Sequence, residues 1–536
     1  MKEAGNIIKI YPTYDKAGNA HYDLHSQPKG SELIQRCVVY PERVIPIIFI
    51  PGVMGSNLKN SQGESDRVWN LDSQLDIVNA WMGRSAKVRK QKLSPLTTKV
   101  DDSGKVDEKE ESFLLKTRQQ RGWGSVAYTS YAPFLSWLQE ELNDFEASAQ
   151  GERGKLLTST QSMDAGDISL QQEEIDLTYR YLYPVFAVGY NWLQSNADSA
   201  ADLATKIDKE IIQFYQGKGR KCEKVILITH SMGGLVARHY TQNLEGETKV
   251  LGVVHGVMPA LGAAATYRRM KAGTEYPEGS IEGWVASQVM GGDAEAMTAV
   301  LSQAPGPMQL LPGQDYGMRW LKIMDGKDVL FYPKEDPYSE IYLQRDKWWG
   351  LCEEQFLNPG ARATQKERDQ SWADFAKIID RTVSSFIEGL SGKYHENTYA
   401  FYSAEQSFPS YGDIVWQSKT PVIEQWINRG RSRRPEEGRA LDKTENSASR
   451  SVSTPLDEKG WTQGIYQTWK LLPPQEAGDG TVPERSGRIA GRYLQARYPV
   501  SVQHEPAYQN ALAQQFTLRA LVKIIQDVKQ TTLAYS

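Results

Sequence analysis

Residues 224–240 read KVILITHSMGGLVARHY. The apolar, β-branched run 225–229 suits a buried strand, T-H-S-M-G-G is an abrupt turn, and Leu235, Val236 and Tyr240 suit a following helix. A serine on such a strand-to-helix turn has its hydroxyl thrust out of the sheet, beside backbone N–H groups at the helix start. Ser231 is therefore the candidate nucleophile, in preference to a plain helix N-cap. Gly233 and Gly234 fit because the turn is strained and the helix packs close to its strand. Thr229 stands where glycine would fit more easily, so a slightly displaced elbow is expected.

Working outward, residues 45–50 and 250–255 are short apolar runs followed by turn residues, and read as parallel strands buried on both faces. Residues 183–189 read as a fourth strand and 398–404 as a fifth. Leu203, Ile207, Ile211, Ile212 and Phe214 place an amphipathic helix over 197–215, and a closing helix is expected over 511–528. This alternation predicts an α/β fold with a mostly parallel central sheet and helices on both faces. Segments 99–120, 150–174 and 429–459 are polar and are expected as solvated loops. The stretch 259–349 mixes glycine, methionine and tryptophan and is expected as a helical cap over the carboxyl edge of the sheet. One enlarged domain over 1–536 is expected, with a cap or lid insertion at 260–350 and a polar insertion at 405–470.

The chain has 536 residues, 40% apolar and 10% aromatic, which suffices for a large packed core and excludes global disorder. Lys and Arg number 62 against 66 Asp and Glu, so at a net charge of -4 no overall basic field favours nucleic acid. The three cysteines, Cys37, Cys222 and Cys352, are too few and too scattered for a disulfide framework or a thiol-rich metal cluster. Structural roles are expected for them. Charges and Pro12 interrupt the N-terminal apolar residues before a Sec-type signal could form, and no run approaches the roughly 18 apolar residues of a membrane span. The expected location is cytoplasmic in the producing cell.

A serine hydroxyl needs an imidazole to take its proton and a carboxylate to hold that imidazole in the right tautomer. Seven histidines limit the choice. His21 and His25 precede the first core strand, His395 precedes another strand, and His230 and His239 belong to the elbow and its helix, where structural roles are expected. His255 ends a sheet strand and competes. In this kind of fold the partners follow the nucleophile in the order serine, acid, histidine, which favours His504 in SVQHEPAYQNALAQQF. Asp479 in the tight loop EAGDGTVP is the candidate acid, with Asp413 in SYGDIVW as its rival. The first strand ends in IPGVMGSNL, and a glycine-rich turn there can aim N–H groups at a developing oxyanion. Met54 and Met232 are the expected donors through their main chains. Such an acyl-transfer site calls for no metal and no organic cofactor.

Four patches, PGVMGSNL with the following RVWN, YNW (190–192), THSMGGLVAR, and GDGTVP followed by QHEPAYQN, resemble the lecithin:cholesterol acyltransferase and PGAP1-like branch of lipase-type α/β hydrolases. The resemblance implies the α/β-hydrolase fold, a nucleophile at Ser231, the acid at Asp479, the histidine at His504 and an oxyanion amide at Met54. The large inserts and soluble, acidic chain are also similar to bacterial lipase effectors delivered by type VI secretion, which degrade phospholipids of rival cells. That similarity implies a toxin secreted into a target cell, an immunity protein that blocks the site, and contact with the secretion apparatus.

The expected activity is cleavage of carboxylic esters of membrane glycerophospholipids through an acyl-enzyme, as in a phospholipase A. Trp284, Met290, Met297, Met308 and Trp320 crowd the expected cap and read either as a lipid-facing lid or as ordinary core. Arg429, Arg431, Arg433, Arg434 and Arg439 read either as a contact for anionic head groups of a membrane surface or as a solvated loop. The alternatives are transfer of the acyl group to an alcohol, and a non-catalytic interaction protein on a hydrolase fold.

Overall fold

The computed structural model describes residues 7–14, 20–37, 39–63, 66–109, 115–144, 151–276, 281–360, 363–419, 435–440, 448–454 and 465–535. Seven strands make the central sheet: β1 (Ile47–Ile50), β2 (Ala165–Gly166), β3 (Val185–Ala187), β4 (Val225–His230), β5 (Val250–Gly256), β6 (Thr398–Tyr402) and β7 (Ala496–Pro499). Their order is β3-β1-β4-β5-β6-β7-β2, parallel throughout except for the two-residue edge strand β2. The α/β-hydrolase fold with a mostly parallel sheet is thus in place, and the five expected strands are all present.

Side chains of a strand alternate between faces, and here both faces are buried. Ile48, Ile50, Leu227 and Val253 enter one hydrophobic cluster, while Ile47, Phe49, Ile226, Ile228 and Val254 enter the other. Burying each such side chain contributes roughly 1.5–3 kcal/mol. Helices α1 (Tyr128–Leu142) and α4 (Ala511–Ile525) cover the second face, and α2 (Asn196–Thr205) and α3 (Gly233–Asn243) the first. The helix expected over 197–215 is present as α2, a π-helical turn at Lys206–Ile212 and a short helix Gln213–Gly217. The closing helix α4 starts on Asn510, whose side chain accepts from the Leu512 and Ala513 amides.

The structure differs from the sequence expectation in the inserts. A second, six-stranded sheet runs in the order Asp328–Tyr332, Leu321–Asp325, Ile414–Ser418, Ile465–Leu471, Ser449–Thr454 and Arg439–Ala440. The stretch 259–349 is therefore not wholly helical: four helices, Ala264–Ala272, Ile281–Met290, Ala294–Leu301 and Pro305–Met308, lead into a hairpin of this sheet. Ser449–Thr454 is not a solvated loop either: it pairs antiparallel with Ile465–Leu471, and its Arg450 and Val452 are buried. Arg450 is buried there and pairs with Glu353 at 3.2 Å, which also holds the fully buried Lys271 at 2.7 Å. Trp320, Trp348, Trp416 and Trp469 make the core of this region, with Met297 and Met308. Met297, Met308 and Trp320 of the expected lid are thus packed inside this core. Arg429, Arg431, Arg433 and Arg434 lie outside the described residues, as does the Trp284 side chain. Strand β7 also escaped sequence reading, since Arg497 breaks its apolar pattern; the guanidinium is buried against Asp164 at 2.7 Å. Cys222 and Cys352 are buried free thiols and Cys37 is exposed.

Candidate active site

Strand β4 leads straight into Ser231, which takes φ +51. A left-handed serine is strained and persists only where its surroundings hold it. They do: the Ser231 amide donates to the Gly256 carbonyl of β5 at 3.0 Å, and the Gly234 amide closes the turn on the Ser231 carbonyl at 2.9 Å. A Cβ on Gly233 would sit 2.5 Å from the Ile50 and Pro51 carbonyl oxygens, and one on Gly234 would sit 2.3 Å from the Met258 sulfur. Close approach of α3 to the sheet is thus the reason for both glycines. Thr229 leaves the turn intact; its hydroxyl lies 2.8 Å from His255 Nδ1.

His504 and Asp479 reach the same point from distant loops. His504 Nε2 lies 2.8 Å from Ser231 Oγ, and His504 Nδ1 lies 2.7 Å from Asp479 Oδ2. The acid is buried, and its other oxygen accepts from the Thr481 amide at 2.9 Å and the Val482 amide at 2.6 Å. A carboxylate at Oδ2 calls for the proton on Nδ1, which leaves Nε2 as the acceptor for the serine hydroxyl. Ser231 itself is 3% exposed, so the pair is screened from bulk water.

The rival residues are occupied elsewhere. Asp413 accepts from Lys322 at 2.5 Å and from Arg485 at 3.1 Å. His255 is buried on Thr229, and burial together with the Arg238 charge drives its pKa down to about 3. His395 accepts from the Asn397 amide and His239 meets Asn243.

The turn after β1 explains the remaining patches. Met54 takes φ +62, the Gly55 amide donates to the Gly52 carbonyl at 3.0 Å, and the Met54 carbonyl accepts from the Trp69 indole at 2.9 Å. Tyr190 holds the same turn twice, its hydroxyl on the Pro51 carbonyl and its amide on the Ser56 hydroxyl, both at 3.0 Å. The rings of Trp69 and Trp192 meet edge to face, 5.6 Å between centroids. RVWN and YNW thus act as supports for PGVMGSNL, roles that sequence reasoning had left unassigned. Among the described residues the Val53, Met54 and Met232 amides donate to no protein acceptor. A cavity of about 340 Å³ lined by Leu235, Arg238, Leu311, Phe386, Leu390 and Arg492 lies apart from Ser231, Asp479 and His504.

The PGAP1-like alpha/beta domain family matches residues 195–260, the segment from the start of α2 through the elbow and β5. That segment is similar to a PGAP1-like alpha/beta domain. One solved structure, "The crystal structure of Tle4-Tli4 complex", matches with a TM-score of 0.69 and 29% sequence identity, over 90% of this chain and 98% of that chain. No curated protein matches the sequence. The matched segment holds the candidate nucleophile, while Asp479 and His504 lie beyond it and reach the same point only through the fold.

Proposed function

We propose that this protein is a serine hydrolase of lipase type that cleaves carboxylic esters of membrane glycerophospholipids through an acyl-enzyme. The continuous hydrogen-bond chain from Asp479 through His504 to Ser231, on a strained elbow, carries the proposal. In the first step Ser231 Oγ attacks the ester carbonyl carbon while its proton passes to His504 Nε2. Asp479 stabilises the imidazolium that forms. The negative charge on the carbonyl oxygen is met by the Met232 amide and by an amide of the 52–55 turn, that of Met54 or of its neighbour Val53. The imidazolium then protonates the departing alcohol, and water, deprotonated by His504, releases the fatty acid and restores the hydroxyl.

The similarity to the Tle4-Tli4 structure supports a further reading, that the chain is an antibacterial effector secreted by a type VI system and that an immunity protein binds it. Among the described residues no helix is long and apolar enough to cross a membrane, so contact with lipid is proposed at a membrane surface.

The test is fatty-acid release from mixed phospholipid liposomes by wild type and Ser231→Ala. Release by the wild type that is lost in the variant is expected, together with labelling of Ser231 by a fluorophosphonate probe. Undiminished release by Ser231→Ala defeats the proposal, and free alcohol esters in place of fatty acid, when an acceptor is supplied, would mark an acyltransferase.

A further inference from the structure

His230 precedes the nucleophile, is buried, and takes no part in the proton transfers above. Its two ring nitrogens nevertheless join the two loops that make the site. Nε2 lies 2.8 Å from the His504 main-chain carbonyl, and Nδ1 lies 2.9 Å from the Tyr131 hydroxyl. The Tyr131 oxygen in turn accepts from the Gly52 amide at 3.2 Å. Only one assignment of hydrogens satisfies this chain. A carbonyl can only accept, so Nε2 carries the proton; Nδ1 is then the acceptor, and Tyr131 must donate to it. The result is a directional series: Gly52 N–H to Tyr131 O–H to His230 Nδ1, and His230 Nε2–H to His504 C=O.

The surrounding packing admits no slack. A Cβ on Gly52 would fall 2.9 Å from His230 Nδ1 and 3.1 Å from the Ser231 Cβ, and one on Gly55 would fall 2.7 Å from the Tyr131 hydroxyl. The first-strand turn therefore lies directly on His230 and Tyr131. At the other end, the His504 amide donates to the Asp479 carbonyl at 2.9 Å, so the peptide units on both sides of His504 are tied. Burial keeps the His230 ring neutral, its pKa pushed down to about 3, with the neighbouring His504 acting in the same direction.

We propose that His230 is a positioning residue that locks the histidine-bearing loop to the oxyanion turn, so that the base and the amide donors are held in register with Ser231. The inference rests on the hydrolase reading of the site. A chain of neutral hydrogen bonds adds no charge to the reaction; it fixes distances, and an error of about 1 Å in such a site costs up to about a hundredfold in rate.

The experiment compares wild type with His230→Phe, His230→Gln and Tyr131→Phe. Glutamine can donate its amide N–H to the His504 carbonyl and accept from Tyr131, whereas phenylalanine can do neither. On a soluble chromogenic ester, His230→Phe is expected to lose about tenfold to a hundredfold in kcat with KM changed less than about twofold, and His230→Gln to recover most of it. The double variant His230→Phe, Tyr131→Phe is expected to be no worse than His230→Phe alone, since both break one chain. Hydrogen exchange in the Ser231→Ala background is expected to rise at 50–57 and at 500–508 together when His230→Phe is added.

Unchanged exchange at either loop, or a His230→Phe kcat within twofold of wild type, overturns the lock. A wild type that neither hydrolyses esters nor takes up a fluorophosphonate, but shows the coupled exchange, overturns the hydrolase proposal and leaves the lock standing. If phenylalanine prevents folding, Tyr131→Phe, which deletes one oxygen, serves for both readouts.

Discussion

Replacing Asp479 by asparagine tests the site most sharply, because the structure dictates which way the new amide must face. Asp479 Oδ1 accepts from two backbone amides, those of Thr481 and Val482. If the asparagine turned its NH2 toward them, two buried donors would lose their acceptor, at about 1–3 kcal/mol each. The carbonyl oxygen therefore stays on the amides, and the NH2 faces His504 Nδ1, where Oδ2 had been at 2.7 Å. A donor at that place forces the imidazole proton onto Nε2, pointing it at the Ser231 oxygen 2.8 Å away. The base is then unable to accept the serine proton. In the serine proteases that use the same constellation, this change costs about 10⁴-fold in kcat, or about 5 kcal/mol at about 1.4 kcal/mol per tenfold. The assay is steady-state hydrolysis of a chromogenic ester, with thermal unfolding by circular dichroism to verify the fold. Asp413→Asn is the control, with kcat expected within twofold of wild type. A folded Asp479→Asn protein that loses less than about tenfold, or an Asp413→Asn protein that loses as much, would refute the assignment of the acid.

Further outcomes follow from the packing and the buried charges. Trp69→Phe removes the indole donor from the Met54 carbonyl, and is expected to cost about 1 kcal/mol in urea unfolding and to slow fluorophosphonate labelling of Ser231; unchanged labelling would show that the 52–55 turn does not depend on Trp69 for its proposed oxyanion role. Gly233→Ala drives a Cβ against two backbone carbonyl oxygens at 2.5 Å, and a loss of about 1–3 kcal/mol in the same measurement is expected. Glu353→Gln leaves the fully buried Lys271 and the buried Arg450 without their shared carboxylate, so about 3–5 kcal/mol of stability is expected to go; a loss under 1 kcal/mol would show the pair to be hydrated. His230 and His255, buried and neutral, both have pKa values near 3 in the fold, below the value of about 6.5 in an unfolded chain. Between those values the unfolded state binds the protons, so these two residues make stability fall as pH drops from about 6 to 4, by up to about 2.7 kcal/mol per pH unit. Unfolding midpoints at pH 7, 5 and 4 check the sign, and the slope should diminish in a folded His255→Gln variant.

Much of the site was legible because its parts are local in sequence. The elbow needs a strand, a sharp turn and a helix within residues 224–240, and the strained Ser231 and the two close-packed glycines follow from that segment alone. The choice of His504 over His255 came from chain order, and the structure shows what separates them: one imidazole projects from a loop, the other is sealed against Thr229. Asp479 was preferred to Asp413 for its tight glycine-flanked loop and the GDGTVP resemblance, and the structure adds what separates them: Lys322 and Arg485 neutralise Asp413. Trp69 and Tyr190 were visible as motif letters without a role, since nothing in their own segments says which carbonyl they hold.

The sequence by itself determined five of the seven strands of the central sheet, because residues buried on both faces must be apolar and their runs stand out from any surroundings. It also determined which side chains could do acyl-transfer chemistry, since few histidines and glycine-flanked acids are available. Only the tertiary structure decided the second sheet and the work of His230. Strands such as Ser449–Thr454 pair by backbone groups and bury a charge against a distant carboxylate, so their own letters resemble a loop. A histidine next to the nucleophile has the same letter whether it fills space or ties two loops; the partners that distinguish these roles, Tyr131 and the His504 carbonyl, lie about a hundred or more residues away and meet it only after the chain has closed.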